Sequence, residues 1–115
     1  MREIKFRAFY KPVKKMCEVV DNDLSRVTAE GYVIMQFTGL HDKNGKEIYD
    51  GDIVRLNNAT IAIVEYWVNG GQWVIHTPDF DMEGGQGLYQ AHINQMEHKV
   101  IGNIYDNPEL LKEAL

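Results

Sequence analysis

The sequence predicts a mostly β protein: a small barrel or sandwich of short antiparallel strands, with a short helix at the C-terminus. Three observations predict it. Short runs rich in β-branched and aromatic residues recur along the chain, with Ile4, Phe6, Ala8 and Tyr10 alternating against Lys5, Arg7 and Phe9. Turn pairs separate the runs, among them Asn44-Gly45, Asp50-Gly51, Asn57-Asn58 and Asn69-Gly70. A helix start is legible at Asn107-Pro108-Glu109, near the end of the chain.

The alternating run from Ile4 to Tyr10 reads as a half-buried strand, and Pro12 ends it because proline cannot donate to a ladder. Lys14 and Lys15 lead into Met16-Cys17-Glu18-Val19-Val20, an antiparallel partner after a short loop. Asp21-Asn22-Asp23 punctuates the chain again, and Leu24 to Gly31 reads equally as a helical turn or an irregular link. Tyr32 to Phe37 is apolar on both faces and predicts a central strand. Asn44-Gly45 then predicts a hairpin with a type I′ turn, which needs positive φ at both residues.

Glu47-Ile48-Tyr49 is a brief strand, Asp50-Gly51-Asp52 a tight turn, and Ile53 to Leu56 the next strand. Thr60 to Val68 is the longest expected strand, with Ile61, Ile63, Glu65 and Trp67 on one side and Ala62, Val64, Tyr66 and Val68 on the other. Asn69-Gly70-Gly71 turns it onto Gln72 to His76. Thr77 to Gly87 reads as a loop bearing glycine and acid, and Leu88 to Met96 as a short ambiguous segment. Lys99 to Tyr105 is the last strand, and Asn107 caps a helix running through Leu115, with Pro108 and Glu109 in its first turn.

At 115 residues and 13.2 kDa the chain is one ordinary domain. It divides into a basic N-terminal hairpin and linker over 1–31, a β core over 32–106 and the helix over 107–115. Its 44% hydrophobic and 25% charged content is average for a globular protein, which excludes wholesale disorder and a fibrous design. The longest aliphatic run, Ile61 to Val64, is far shorter than the roughly 20 residues that span a bilayer. No apolar stretch follows the charged N-terminus, so no secretory signal is expected there. The single Cys17 excludes an internal disulfide framework, and a cytoplasmic location is expected.

The net charge of −5 is unevenly spread. Residues 1–20 hold six cations and two acids, or +4, whereas the other 95 hold six cations and 15 acids, or −9. Lys5, Arg7, Lys11, Lys14 and Lys15 are therefore a candidate binding face, with Phe6, Phe9 and Tyr10 between them as candidates for stacking on bases. The same polarity fits a basic edge meeting the acidic surface of another subunit or of its own body, or a plainly solvated strand. Residues 53–78 carry only Arg55 and Glu65, less basic than a nucleic-acid groove requires.

The remaining chemistry is thin. Asp79, Asp81 and Glu83, with Gly84, open like a calcium loop, but Gln90 stands where a bidentate glutamate should close it. That segment is better read as a solvated acidic loop and a candidate partner loop. His41, His76, His92 and His98 lack metal-ligand spacing, and Asp50 and Asp52 flank a glycine as turn chemistry alone would select. Gly84-Gly85-Gln86-Gly87 has no lysine with which to hold a phosphate. No catalytic residue, cofactor or metal is expected.

Three blocks nevertheless resemble one family. Arg2 to Ala8 is the first, Met35-Gln36-Phe37-Thr38-Gly39-Leu40 through Val54 the second, and Val100-Ile101-Gly102-Asn103-Ile104-Tyr105 through Leu111 the third. In order and spacing they are similar to the YopX family of small bacteriophage and prophage proteins. The resemblance implies a β-rich, self-associating protein with no established activity, and no site residue can be carried over from it. Phe9 stands where the family more often has tryptophan, and the stretch between Ala59 and Glu97 is variable ground from which nothing is carried over. The expected function is thus a non-enzymatic phage accessory domain that forms homo-oligomers and binds a host or phage macromolecule. One alternative is a nucleic-acid module using the basic N-terminal strand. Another is an enzyme with a carboxylate–metal site at Asp50, Asp52 or the loop of Asp79 to Glu83.

Overall fold

Nine strands and one short helix are seen in a computed structural model that describes residues 4–20, 23–27, 30–56, 61–67, 71–76, 86–87 and 98–114. The first sheet has the order β2-β1-β3-β4, built from β1 (Phe6–Tyr10), β2 (Lys15–Glu18), β3 (Tyr32–His41) and β4 (Glu47–Tyr49). The second has the order β8-β7-β6-β5-β9, built from β5 (Asp52–Leu56), β6 (Ile61–Trp67), β7 (Gln72–His76), β8 (Gln86–Gly87) and β9 (His98–Asn103). Every pairing is antiparallel. The helix α1 (Glu109–Ala114) closes the chain, so the mostly β expectation holds.

The strand β4 joins the two sheets. Its consecutive side chains point to opposite faces, as a strand's must. Ile48 packs with Val54, Val64, Trp73 and Ile75 in the core of the second sheet. Tyr49 packs with Phe9, Met35 and Phe37 in the core of the first. The turn after β4 is bonded into the second sheet, Gly51 N donating to Val64 O at 2.8 Å and Ile104 N donating to Gly51 O at 2.9 Å. Gly51 has φ +85°, and a Cβ there would lie 3.1 Å from Met35 Cε. Only glycine meets both conditions without strain.

Several elements differ from expectation for identifiable reasons. The hairpin at Asn44-Gly45 forms, but Gly45 alone has positive φ, so its turn is not type I′. Asp42 explains this: its Oδ1 accepts from Asn44 N and from Lys46 N, both at 2.9 Å, and sets the turn from its N-terminal side. Its Oδ2 accepts from Val100 N at 2.9 Å, tying the hairpin to β9. The strand β3 runs on through Thr38-Gly39-Leu40 and, at 10 residues, is longer than the 7-residue β6. A register shift between Phe37 and His41 accommodates it, with Thr38 Oγ1 donating to Ile48 O and accepting from Leu40 N.

The linker after β2 contains a 3₁₀ turn, Leu24–Arg26, capped by the Asp23 side chain. Gln86–Gly87, at the end of the expected 77–87 loop, pairs with β7. The segment 88–96 lies outside the described residues. Asn103 ends β9 two residues early by accepting from Tyr105 N and Asp106 N.

Asn107 departs from the expected cap. Its carbonyl accepts from Leu110 N at 3.1 Å, but its side-chain Oδ1 turns back to accept from Asn103 N at 3.3 Å. This return is possible because residue 102 is glycine: a Cβ there would lie 2.5 Å from Asn107 Oδ1. Gly102→Ala is expected to cost about 1–3 kcal/mol in denaturant unfolding. In an Asn107→Gly background the same change should cost clearly less, because the obstructing side chain is gone.

Candidate functional site

Alternation along β1 turns Arg7 to the same face as Phe9, which is 2% exposed, and therefore toward the interior. There it meets Asp52, the first residue of β5, whose side chain is 1% exposed against 16% for Arg7. One guanidinium nitrogen pairs with Asp52 Oδ1. Asp52 Oδ2 accepts from Tyr49 N at 2.7 Å, so both carboxylate oxygens are bonded. The guanidinium also lies over the Tyr49 ring, 4.3 Å from its centroid. Burial pulls the Asp52 carboxyl above its ordinary value and outweighs Arg7 and the Tyr49 amide, which pull it down.

Lys5 repeats the arrangement nearer the surface. Its Nζ donates to Glu47 Oε2 at 2.7 Å, and Tyr49 Oη donates to Glu47 Oε1 at 3.2 Å. Burial raises the Glu47 carboxyl, but the bonds and charge of Lys5 and the Tyr49 hydroxyl outweigh it and leave the group below its usual value. Burial, followed by the Glu47 charge, holds the Tyr49 hydroxyl above its usual value.

The expected five-cation face is therefore divided. Lys5 and Arg7 are held against the protein's own acids, whereas Lys11, Lys14 and Lys15 are exposed at the tip of the β1–β2 hairpin and make no ion pair among the described residues. The aromatic residues between the cations are taken up similarly. Phe9 stacks on Tyr105 with centroids 5.7 Å apart, and Tyr10 lies 4.5 Å from Tyr32. Asp79, Asp81 and Glu83 lie outside the described residues.

Beside the two ion pairs is a cavity of about 480 Å³, lined by Lys5, Arg7, Met16, Glu18, Val20 and Tyr49 among others. It opens along the C-terminal end of β2, the outermost strand of its sheet. Its lining is mixed: two cations already paired, two acids, and apolar surface from both strands of the hairpin.

Asp50-Gly51-Asp52 forms the expected turn, but its two carboxylates have separate surroundings. Burial pushes the Asp50 carboxyl up to about 6, assisted by the charges of Glu65 and Asp52 and opposed by Arg7. Burial, then those of Asp50 and Glu65, raise the Tyr105 hydroxyl. Glu65 Oε1 lies 3.1 Å from His76 Nε2. Among the described residues, no three histidine, cysteine or acidic side chains are grouped to hold a metal ion.

Tyr49 and Asp42 were not singled out from the sequence, and Glu47 only as a carboxylate close to Asp50 and Asp52. Arg7 and Asp52 are 45 positions apart, and Lys5 and Glu47 are 42 apart, so no local spacing reveals either pair. The uneven charge distribution was the available signal: a basic end and an acidic body can meet within one chain.

The family model described as YopX protein matches residues 15–112. The chain belongs to the YopX family. It is also similar to a solved structure, the crystal structure of protein EF1440 from Enterococcus faecalis, at 27% identity and a TM-score of 0.72. That match covers 96% of this chain and 99% of the other. No match is found among curated proteins. The YopX resemblance read from the three sequence blocks is thus established over nearly the whole chain.

Two outcomes test the site's energetics. Removing one member of the Arg7–Asp52 pair leaves the other charge buried, so Arg7→Met and Asp52→Asn should each cost about 3 kcal/mol, and the double variant clearly less than their sum. For Asp50 the sign follows from linkage. Its raised carboxyl makes the folded state hold a proton that the unfolded state has lost, so its contribution is full below about pH 4 and declines as pH rises to about 6. Asp50→Asn should therefore raise stability at pH 7.5 by about 1 kcal/mol after discounting for solvent screening, and leave it unchanged at pH 4. Thermal melts at the two pH values check this.

Proposed function

We propose that this YopX protein is a non-enzymatic interaction module that self-associates and binds a macromolecule of a phage or its bacterial host in the cytoplasm. The observation that carries the reading is the placement of exposed apolar surface. Ile4, Val13, Val20 and Ile34 are 63%, 65%, 69% and 37% exposed, and all belong to the first sheet or its connections. Among the described residues, Tyr66 alone adds a large exposed hydrophobic elsewhere. Apolar surface concentrated on one unit, beside a sheet edge with no outer partner among the described residues, favours docking over catalysis.

Nucleic-acid binding is the second reading, supported by the three exposed lysines at the hairpin tip. With Lys5 paired to Glu47 and Arg7 to Asp52, three cations of that face remain for phosphates. Any such binding should be weak, with a salt slope of only about −2 to −3.

Light scattering at micromolar concentration separates the two. The first reading expects a mass that is a multiple of 13.2 kDa, and no retardation of DNA or RNA at physiological salt. A strict monomer that retards nucleic acid, and stops doing so when Lys11, Lys14 and Lys15 are neutralised, would overturn it.

A further inference from the structure

Arg7 and Glu18 stand directly opposite each other in the β1–β2 ladder. Residues so placed share one face of the sheet, and opposite charges there ordinarily pair. Here they do not. Arg7 gives one arm of its guanidinium to Asp52 and lies over the Tyr49 ring, and Glu18 makes no hydrogen bond or ion pair among the described residues. The other arm of the guanidinium and its Nε likewise have no acceptor among the described residues. Both side chains line the cavity of about 480 Å³.

The charges around that cavity decide what it can take. Lys5 is answered by Glu47 and Arg7 by Asp52, which leaves Glu18 as an excess negative charge. The lysines of the hairpin tip lie toward the other end of β2, and Lys15, opposite Tyr10 in the ladder, alternates to the opposite face of the sheet. A complementary ligand is therefore a monocation. It also carries an oxygen acceptor close to its charge, because Arg7 has unused N–H donors beside Glu18. The rest of the lining includes Phe6, Met16, Val19 and Val20, so the body of the ligand is apolar.

An ammonium on one carbon and a carbonyl on the next is the chemistry of a polypeptide N-terminus. We propose that the cavity captures the free N-terminus of a partner protein, with the ammonium on Glu18, the first carbonyl oxygen on Arg7 and an apolar first side chain against Met16 and Val20. The proposal rests on the interaction-module reading above and names the partner's chemistry and its site. The volume is that of a small-ligand site, about 300–1,000 Å³, which suits terminal residues rather than a folded surface. A free carboxylate in place of the carbonyl would set a further anion beside Glu18 and Glu47 and fit less well.

Isothermal titration with leucyl-alanyl-glycinamide, against the same peptide acetylated at its N-terminus, tests this. The free peptide should bind, and the acetylated one roughly tenfold more weakly, since acetylation removes the charge that answers Glu18. Glu18→Gln should weaken the free peptide roughly tenfold and leave the acetylated one unchanged, whereas Glu18→Asp should retain most of the preference. Glu18 is exposed at a strand end, so both variants keep the fold, and circular dichroism checks this. In NMR the Arg7 Nε–H signal and the β2 amides should shift on adding the free peptide.

No binding of the free peptide at millimolar concentration, equal binding of the two peptides, or binding unchanged in Glu18→Gln would overturn the site and leave the interaction-module reading to its own test. A protein that prefers the free peptide as expected, yet is a strict monomer that retards nucleic acid through its tip lysines, would keep the site and overturn the self-association reading.

Discussion

The buried contact between Arg7 and Asp52 is the constraint on which the two-sheet arrangement depends. A carboxylate at 1% exposure is tolerable only if its charge is answered, and here Arg7 and the Tyr49 amide together occupy both oxygens. Such a pair adds little net stability, because both partners lose their hydration. What it fixes is geometry. Arg7 stands opposite Met35 in the β1–β3 ladder, so a slip of one residue would turn it to the outer face and strand Asp52 without a counter-ion. Asp52 sits in turn at the start of β5, immediately after the Gly51 turn that is bonded to Val64 and Ile104. One ion pair thus holds the register of the first sheet, the path of β4 and the entry to the second sheet together.

The same contact shapes the functional reading. A basic N-terminal strand on an acidic protein invites a nucleic-acid interpretation, but two of its five cations are paired with the protein's own acids. The remaining three crowd at the hairpin tip, next to exposed valines and a strand edge with no outer partner among the described residues. Exposed charge and exposed apolar surface therefore lie side by side on the β1–β2 hairpin.

Much of the fold was legible because its signals are local. Alternation located β1, the Asn-Gly and Asp-Gly pairs located the turns around β4, and Gln72 to His76 was found between its punctuating glycines and Pro78. What was not legible depended on distant residues. Asp42 changed the turn type expected at Asn44-Gly45 because its carboxylate also serves Val100, 58 positions away. Asn107 turned its side chain away from the helix it begins because Gly102 leaves room behind it. The site was less legible than the fold for the same reason: Glu47 and Asp52 are ordinary turn-flanking acids until the fold brings Lys5 and Arg7 to them. Family membership, by contrast, was readable from three short blocks, since their order and spacing reflect turns and strand ends that the fold requires.

The central claim is that Arg7 and Asp52 clamp the N-terminal hairpin to the β4–β5 turn. Native-state hydrogen exchange on the wild-type protein and on Asp52→Asn tests it most directly. The account predicts that amides of β1, β2 and the paired part of β3 lose protection in the variant, while those of β5, β6 and β7 remain close to wild type. Protection lost uniformly across both sheets, or retained throughout the hairpin, would contradict it.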